Sequence, residues 1–208
     1  MLPGGPTMHR EGSILPAEEA PVTSGGSPAR SPAGRRRRGF RWFIALAVLV
    51  VLFLGATARL FVWPDRGMPP RVDALVSLDT PDGTLSTALR LAGERRAANL
   101  VVSLGTPQSG YGCPRPVSGV RLICFNPDPG TTRGEAEYVG RLAREYHWRS
   151  VAVVTVAPQD TRARLRMERC FSGPVYVVTT PIRLISWPYQ IAYEWGALVK
   201  ALTLQRDC

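Results

Sequence analysis

The chain has 208 residues, 45% of them hydrophobic, and carries 26 basic against 16 acidic groups for a formal net charge of +10. Once an unpatterned tail and one apolar span are set aside, that length leaves room for one core and excludes two. The charge argues against a nucleic-acid partner, because its densest run, "GRRRRGFR", abuts the apolar span, while residues 65–208 hold 18 basic and 13 acidic groups.

Residues 1–39 open the chain with stretches such as "PVTSGGSPARSPAG", rich in Pro, Gly, Ser and Ala and without apolar periodicity. Such a segment has no face to bury against the entropy of ordering, so a disordered tail is expected. Residues 40–63 follow as "FRWFIALAVLVVLFLGATARLFVW", uncharged from Trp42 to Ala58 and close to the roughly 20 residues that cross a hydrocarbon core. A transmembrane helix partnered by the lipid bilayer is expected here. The rival, a cleaved signal peptide, has the same basic-then-apolar layout. It fits less well because the basic region begins far into the chain. Arg35, Arg36, Arg37, Arg38 and Arg41 crowd the N-terminal flank of the uncharged run, against a sparser Arg59, Arg66 and Arg71 after it. By the positive-inside rule the tail is cytoplasmic and the rest extracytoplasmic, a single-pass plasma-membrane protein. The outer charge then marks proximity to anionic lipid.

After a Pro/Gly-bearing linker at 64–71, residues 72–208 alternate strand and helix patterns. The β-rich runs are "VDALVSL", "NLVVSLG", "VRLICF", "SVAVVTV" and "PVYVVTT". Between and after them lie "TLSTALRLAGERRA", "TTRGEAEYVGRLAREYHW", "TRARLRMERC" and "SWPYQIAYEWGALVKALTL", with apolar residues at helical spacing. The near-continuous apolar "VAVVTV" is typical of a strand buried on both faces. The order predicts an α/β, Rossmann-like domain: a mostly parallel sheet of about five strands with helices on both faces. Ligands of such sheets sit beyond the C-terminal strand ends. That places Asp79–Gly83, Ser103–Gly110, Thr131–Glu135 and Thr155–Arg162 on the candidate rim.

Cys113, Cys124, Cys170 and Cys208 all lie beyond the span. An even count in an oxidising compartment implies disulfides. Three pairings are open; Cys113 with Cys124 and Cys170 with Cys208 is the preferred one, closing a loop and tying a helix end to the C-terminus. The separations do not match a zinc site, and neither a metal nor a cofactor is expected.

On the rim, Ser103 and Gly105 offer a hydroxyl and backbone N–H groups to an anion, although without GxGxxG or Walker spacing a glycine-assisted turn is the ordinary expectation. Thr132 and Glu135 have capping-box spacing, which by itself explains both; a second role for Glu135 is as base or ligand contact. Arg162 stands in the first turn of its helix against the macrodipole, a position an anion would offset. Arg162, Arg166 and Arg169 share one side of that helix, and a solvated basic face is the ordinary expectation. The two histidines, His9 and His147, fall in the tail and at a helix end away from the rim, so a His-based triad lacks its base.

The order "DALVSL", "LVVSLG", Thr132-x-x-Glu135 and "VAVVTVAPQDTRARL" resembles the YdcF/SanA/ElyC-like domain family over residues 72–200. The resemblance implies a Rossmann-like fold, frequent membrane anchoring and a cell-envelope role. Ser103, Thr132, Glu135, Thr155, Arg162 and Ala163 match the family pattern, and Gly105 is displaced by one place. Asp79 and Thr80 stand where Gly-Gly is expected, Val156 for a Ser, and Gln159 for a His. An amide can donate and accept hydrogen bonds but cannot shuttle a proton at neutral pH. The expected function is therefore binding of an anionic, phosphate-bearing envelope ligand through Ser103, Gly105, Thr132, Glu135, Thr155, Gln159 and Arg162. The alternatives are a hydrolase or transferase on a lipid-linked or cell-wall precursor with Glu135 as base, and a structural partner in an envelope complex.

Overall fold

The computed structural model describes residues 33–63, 67, 71–80, 83–106 and 112–208, with side chains from Phe40 onward. The expected tail up to residue 32, most of the linker, and the rim residues 81–82 and 107–111 lie outside the described residues. A first helix, α1 (Ala33–Thr57), starts ahead of the apolar run and includes the arginines at 35–38, which are good helix formers. A π-helical turn, Ala58–Val62, continues it. Phe40–Val62, 23 residues, is long and apolar enough to cross a membrane.

The α/β domain follows as β1 (Val72–Ser77), α2 (Thr84–Gly93), β2 (Ala97–Ser103), β3 (Arg121–Phe125), α3 (Thr132–Glu145), β4 (Val151–Val156), a 3-10 turn (Ala157–Gln159), α4 (Asp160–Cys170), β5 (Val175–Thr180), a second 3-10 turn (Leu184–Ser186) and α5 (Trp187–Thr203). The five strands form one sheet in the order β3-β2-β1-β4-β5, and every pairing is parallel. Sequence periodicity runs the helix after β1 on into "ERRA", but α2 stops at Gly93 and β2 begins at Ala97. The turn needs Arg95 in the left-handed region, at φ 57°.

Each face of the sheet has its own apolar layer. On one side Ala74, Val76, Val101, Val151, Val153 and Val177 meet Val139 of α3 and Met167 of α4. On the other, Leu75, Leu100, Val102, Ala152 and Val154 meet Ala88, Leu91 and Ala92 of α2. No helix connects β2 to β3 among the described residues. The loop there is pinned by the Cys113–Cys124 disulfide, and Cys124, Val117 and Val120 pack into the layer beside α2. The second disulfide joins Cys170, the last residue of α4, to Cys208. Both match the preferred pairing.

The helices α3 and α4 approach closely because position 140 is glycine: a Cβ there would come within 2.5 Å of the Cys170 carbonyl oxygen. The arginines of α4 are not the solvated face expected of them. Arg166 is 4% exposed and donates to the backbone oxygen and Oε1 of Gln205. Arg169 donates to the carbonyls of Ala201 and Gln205, so it satisfies one carbonyl in the last turn of α5, and both guanidinium groups hold the segment just beyond that helix.

Candidate functional site

The chain builds β1, β2 and β3 outward in one direction and then crosses back to place β4 on the other side of β1. The order reverses between β1 and β4, and the connections leaving their C-terminal ends diverge and leave a crevice. A cavity of about 280 Å³ occupies it. Its lining comes from all five strand ends and from α5: Asp79 and Thr80 after β1, Gly105 after β2, Thr132 and Glu135 at the start of α3, Gln159 and Arg162 after β4, Ile182 after β5, and Gln190, Tyr193 and Glu194.

The first turn of α3 is organised differently from the capping box that its spacing predicts. Thr131, not Thr132, is the N-cap, with its hydroxyl 3.5 Å from the Gly134 N–H. Glu135 does not reach back to the cap. Its Oε1 accepts the Asp79 backbone N–H at 2.8 Å, tying α3 to the end of β1, and the Ser103 hydroxyl, which accepts from the Gly105 N–H, lies near enough to favour the carboxylate. The residue is 3% exposed. Burial pushes the Glu135 carboxyl above its ordinary range, and the Asp79 N–H and Ser103 only partly counter that. Asp79 is also raised, by burial.

Freed from capping, the Thr132 hydroxyl serves as a hub. It accepts from Gln159 Nε2 at 3.0 Å and from Arg162 Nη1 at 2.8 Å. Gln159 Oε1 in turn accepts from the Thr155 hydroxyl at 2.8 Å. Thr155 and Gln159 are buried, so this amide is spoken for on both sides. The 3-10 turn at Ala157–Gln159 sets the one-turn offset that brings residues 155 and 159 together.

Arg162 is not the unmatched cation that the macrodipole argument anticipates. Its Nε and Nη2 donate to the two carboxylate oxygens of Glu194 at 2.7 and 2.8 Å, a planar two-point pair. The side chains are 11% and 2% exposed. Burial would lower the Arg162 pKa, but the hydrogen bonds and charge of Glu194 outweigh it and the net shift is upward. The Tyr193 ring lies beside the guanidinium, 5.8 Å from centroid to Cζ.

Of the residues singled out from the sequence, Gly105, Thr132, Glu135, Gln159 and Arg162 line the cavity. Ser103 and Thr155 lie behind it, bonded to lining residues rather than exposed to it. Gly105 takes φ 68°, which suits glycine at this turn. His147 lies at the opposite edge of the sheet with Asp73, Asn99 and Ser150. The α5 contribution, Glu194 above all, is not apparent from strand-end reasoning. Its one signal is a single acidic residue in the otherwise uncharged "WPYQIAYEWGALV". Among the described residues, no group of three or more His, Cys, Asp or Glu side chains is placed to hold a metal ion.

No protein-family model matches the chain, and no curated protein matches it. The site is therefore read from its own geometry.

Proposed function

We propose that the chain is a single-pass membrane-anchored protein whose α/β domain faces the extracytoplasmic side and binds a small phosphate-bearing envelope ligand in the switch-point cavity. The observation that carries the reading is the convergence of the α3 N-terminus, Thr132, Gln159 and Arg162 on one cavity. The first N–H groups of a helix have no intrahelical partners and favour an anion. The Arg162 Nη1 and Nη2 each keep an N–H beyond those donated to Thr132 and Glu194. The two disulfides and the arginines preceding the span support the outward orientation. The envelope role rests on the resemblance to the YdcF/SanA/ElyC-like family.

Charge alone does not drive this binding. Glu194 offsets Arg162, and burial favours a neutral Glu135, so recognition relies on hydrogen bonds and on the fit of a cavity at the lower end of small-ligand pockets. Titrating the full-length chain in detergent with inorganic phosphate and glycerol phosphate tests it. Thr132→Val and Arg162→Ala should each weaken binding at least several-fold. Affinity equal to the parent in both variants removes the cavity from the site.

A second reading is favoured by Glu135 itself: a buried carboxyl with a raised pKa in a cleft is a common form of general acid or base. On that reading the domain is a hydrolase or transferase of the same ligand class. Turnover unaltered by Glu135→Gln, on a substrate that the parent converts, rules it out.

A further inference from the structure

The end of the apolar span is packed into the domain, not separated from it by a free tether. Trp195 of α5 stacks on Phe53 with ring centroids 5.4 Å apart and meets Phe61 edge-on at 5.3 Å. Its Nε1 donates to Thr57 Oγ1 at 3.1 Å. Phe53, Thr57 and Phe61 succeed one another at four-residue intervals, so one side of the last turns of the span lies against α5. The Thr161 hydroxyl of α4 donates to the Leu60 carbonyl in the same place. Phe53 precedes Val62 by roughly 13 Å of helical rise. Thr57 and Phe61 are buried against the domain while Phe53 and Leu54 are half exposed, so the stretch that lipid can surround ends near Phe53, and Trp195 sits at that level.

The surface of α5 beside this contact is apolar. From Trp187 to Val199 the only charged residue is Glu194, which is buried in its pair with Arg162. Tyr189, Tyr193 and Val199 are 69%, 52% and 52% exposed, and the turn before α5 presents Leu184 and Ile185 at 86% and 84%. The Tyr189 and Tyr193 rings stack with centroids 6.3 Å apart, and a run of large exposed apolar side chains in one segment of a domain in water points to a contact. Exposed Arg183 and Lys200 bracket the stretch, as suits anionic head groups. The aromatic content matches that of an interfacial belt.

We propose that α5 and the Leu184–Ile185 turn rest in the interfacial zone of the bilayer that the span crosses, at the leaflet where the span ends. This rests on reading Phe40–Val62 as a membrane span, and the continuity of α5 with that span through Trp195 selects the bilayer as the occupant. One wall of the cavity, at Gln190 and Tyr193, belongs to the same helix. The cleft is then held at the membrane surface, where the head group of an amphiphile can reach it.

The test is nitroxide depth measurement on the full-length chain in vesicles of phosphatidylethanolamine and phosphatidylglycerol. All four native cysteines are disulfide-bonded, so a label on Ile185→Cys is the only one attached. Leu49→Cys reports the span, and Glu145→Cys, at the C-terminal end of α3, reports solvent. The expected result is a several-fold excess of oxygen collisions over those of a water-soluble nickel chelate at Ile185 relative to Glu145, as at Leu49. Free chelate access at Ile185 with Leu49 in lipid overturns the proposal and leaves the anchor standing. Shielding of Ile185 from both probes means a protein partner, a second copy included, and also overturns it. Chelate access at Leu49 removes the anchor itself, and the proposal with it.

Discussion

Arg162 and Glu194, 32 residues apart in the chain, meet through two hydrogen bonds of 2.7 and 2.8 Å in an almost fully buried pair. This contact fixes α5 to α4 and closes one wall of the cavity. Removing one partner leaves a buried charge uncompensated, which typically costs about 3–5 kcal/mol. Glu194→Ala and Arg162→Ala should each destabilise the chain by about that much, and the double variant by less than the sum of the two. Denaturant unfolding of the full-length chain in detergent measures it. Additive losses would show that the pair is not coupled.

Glu135 makes stability depend on pH. Its carboxyl is raised above the unfolded value of 4.5 by burial. The folded state therefore binds the proton more tightly than the unfolded state does. The benefit of that proton is fully present below 4.5 and is lost as pH rises from there through the folded pKa. Glu135→Gln removes the titration. The stability of the variant relative to the parent should rise with pH above 4.5 and level off once the parent carboxyl has ionised. A pH-independent difference between the two would mean that Glu135 has its ordinary pKa in the fold.

The two disulfides should not contribute equally. Cys170–Cys208 spans 38 residues and Cys113–Cys124 spans 11. Loop-closure entropy favours the longer bridge by about 1 kcal/mol. Replacing Cys170 and Cys208 by Ala should therefore lower the unfolding midpoint more than replacing Cys113 and Cys124. The reverse order would place the larger effect in the loop that stands in for a helix between β2 and β3.

The sequence by itself determined the order of strands and helices, because β-branched runs such as "VAVVTV" and the apolar spacing of Ala136, Val139 and Ala143 report burial locally. It also brought out the long apolar stretch and most of the cavity's polar residues, since strand ends in a parallel sheet must converge at one edge, but it left three disulfide pairings open. Only the tertiary structure decided what those residues do to one another. Thr132 and Glu135 have the spacing of a capping box. Yet Thr131 takes the cap, because the end of β1 supplies Glu135 with the Asp79 N–H and the bonds from Gln159 and Arg162 occupy Thr132. The arginines of α4 look like a solvated stripe at helical spacing, but Glu194 of α5 and Gln205 beyond its end cover them. Periodicity records which side of an element is buried. It holds no information on which distant side chain completes a hydrogen bond or neutralises a charge, and in this protein those long-range partners determine the character of the site.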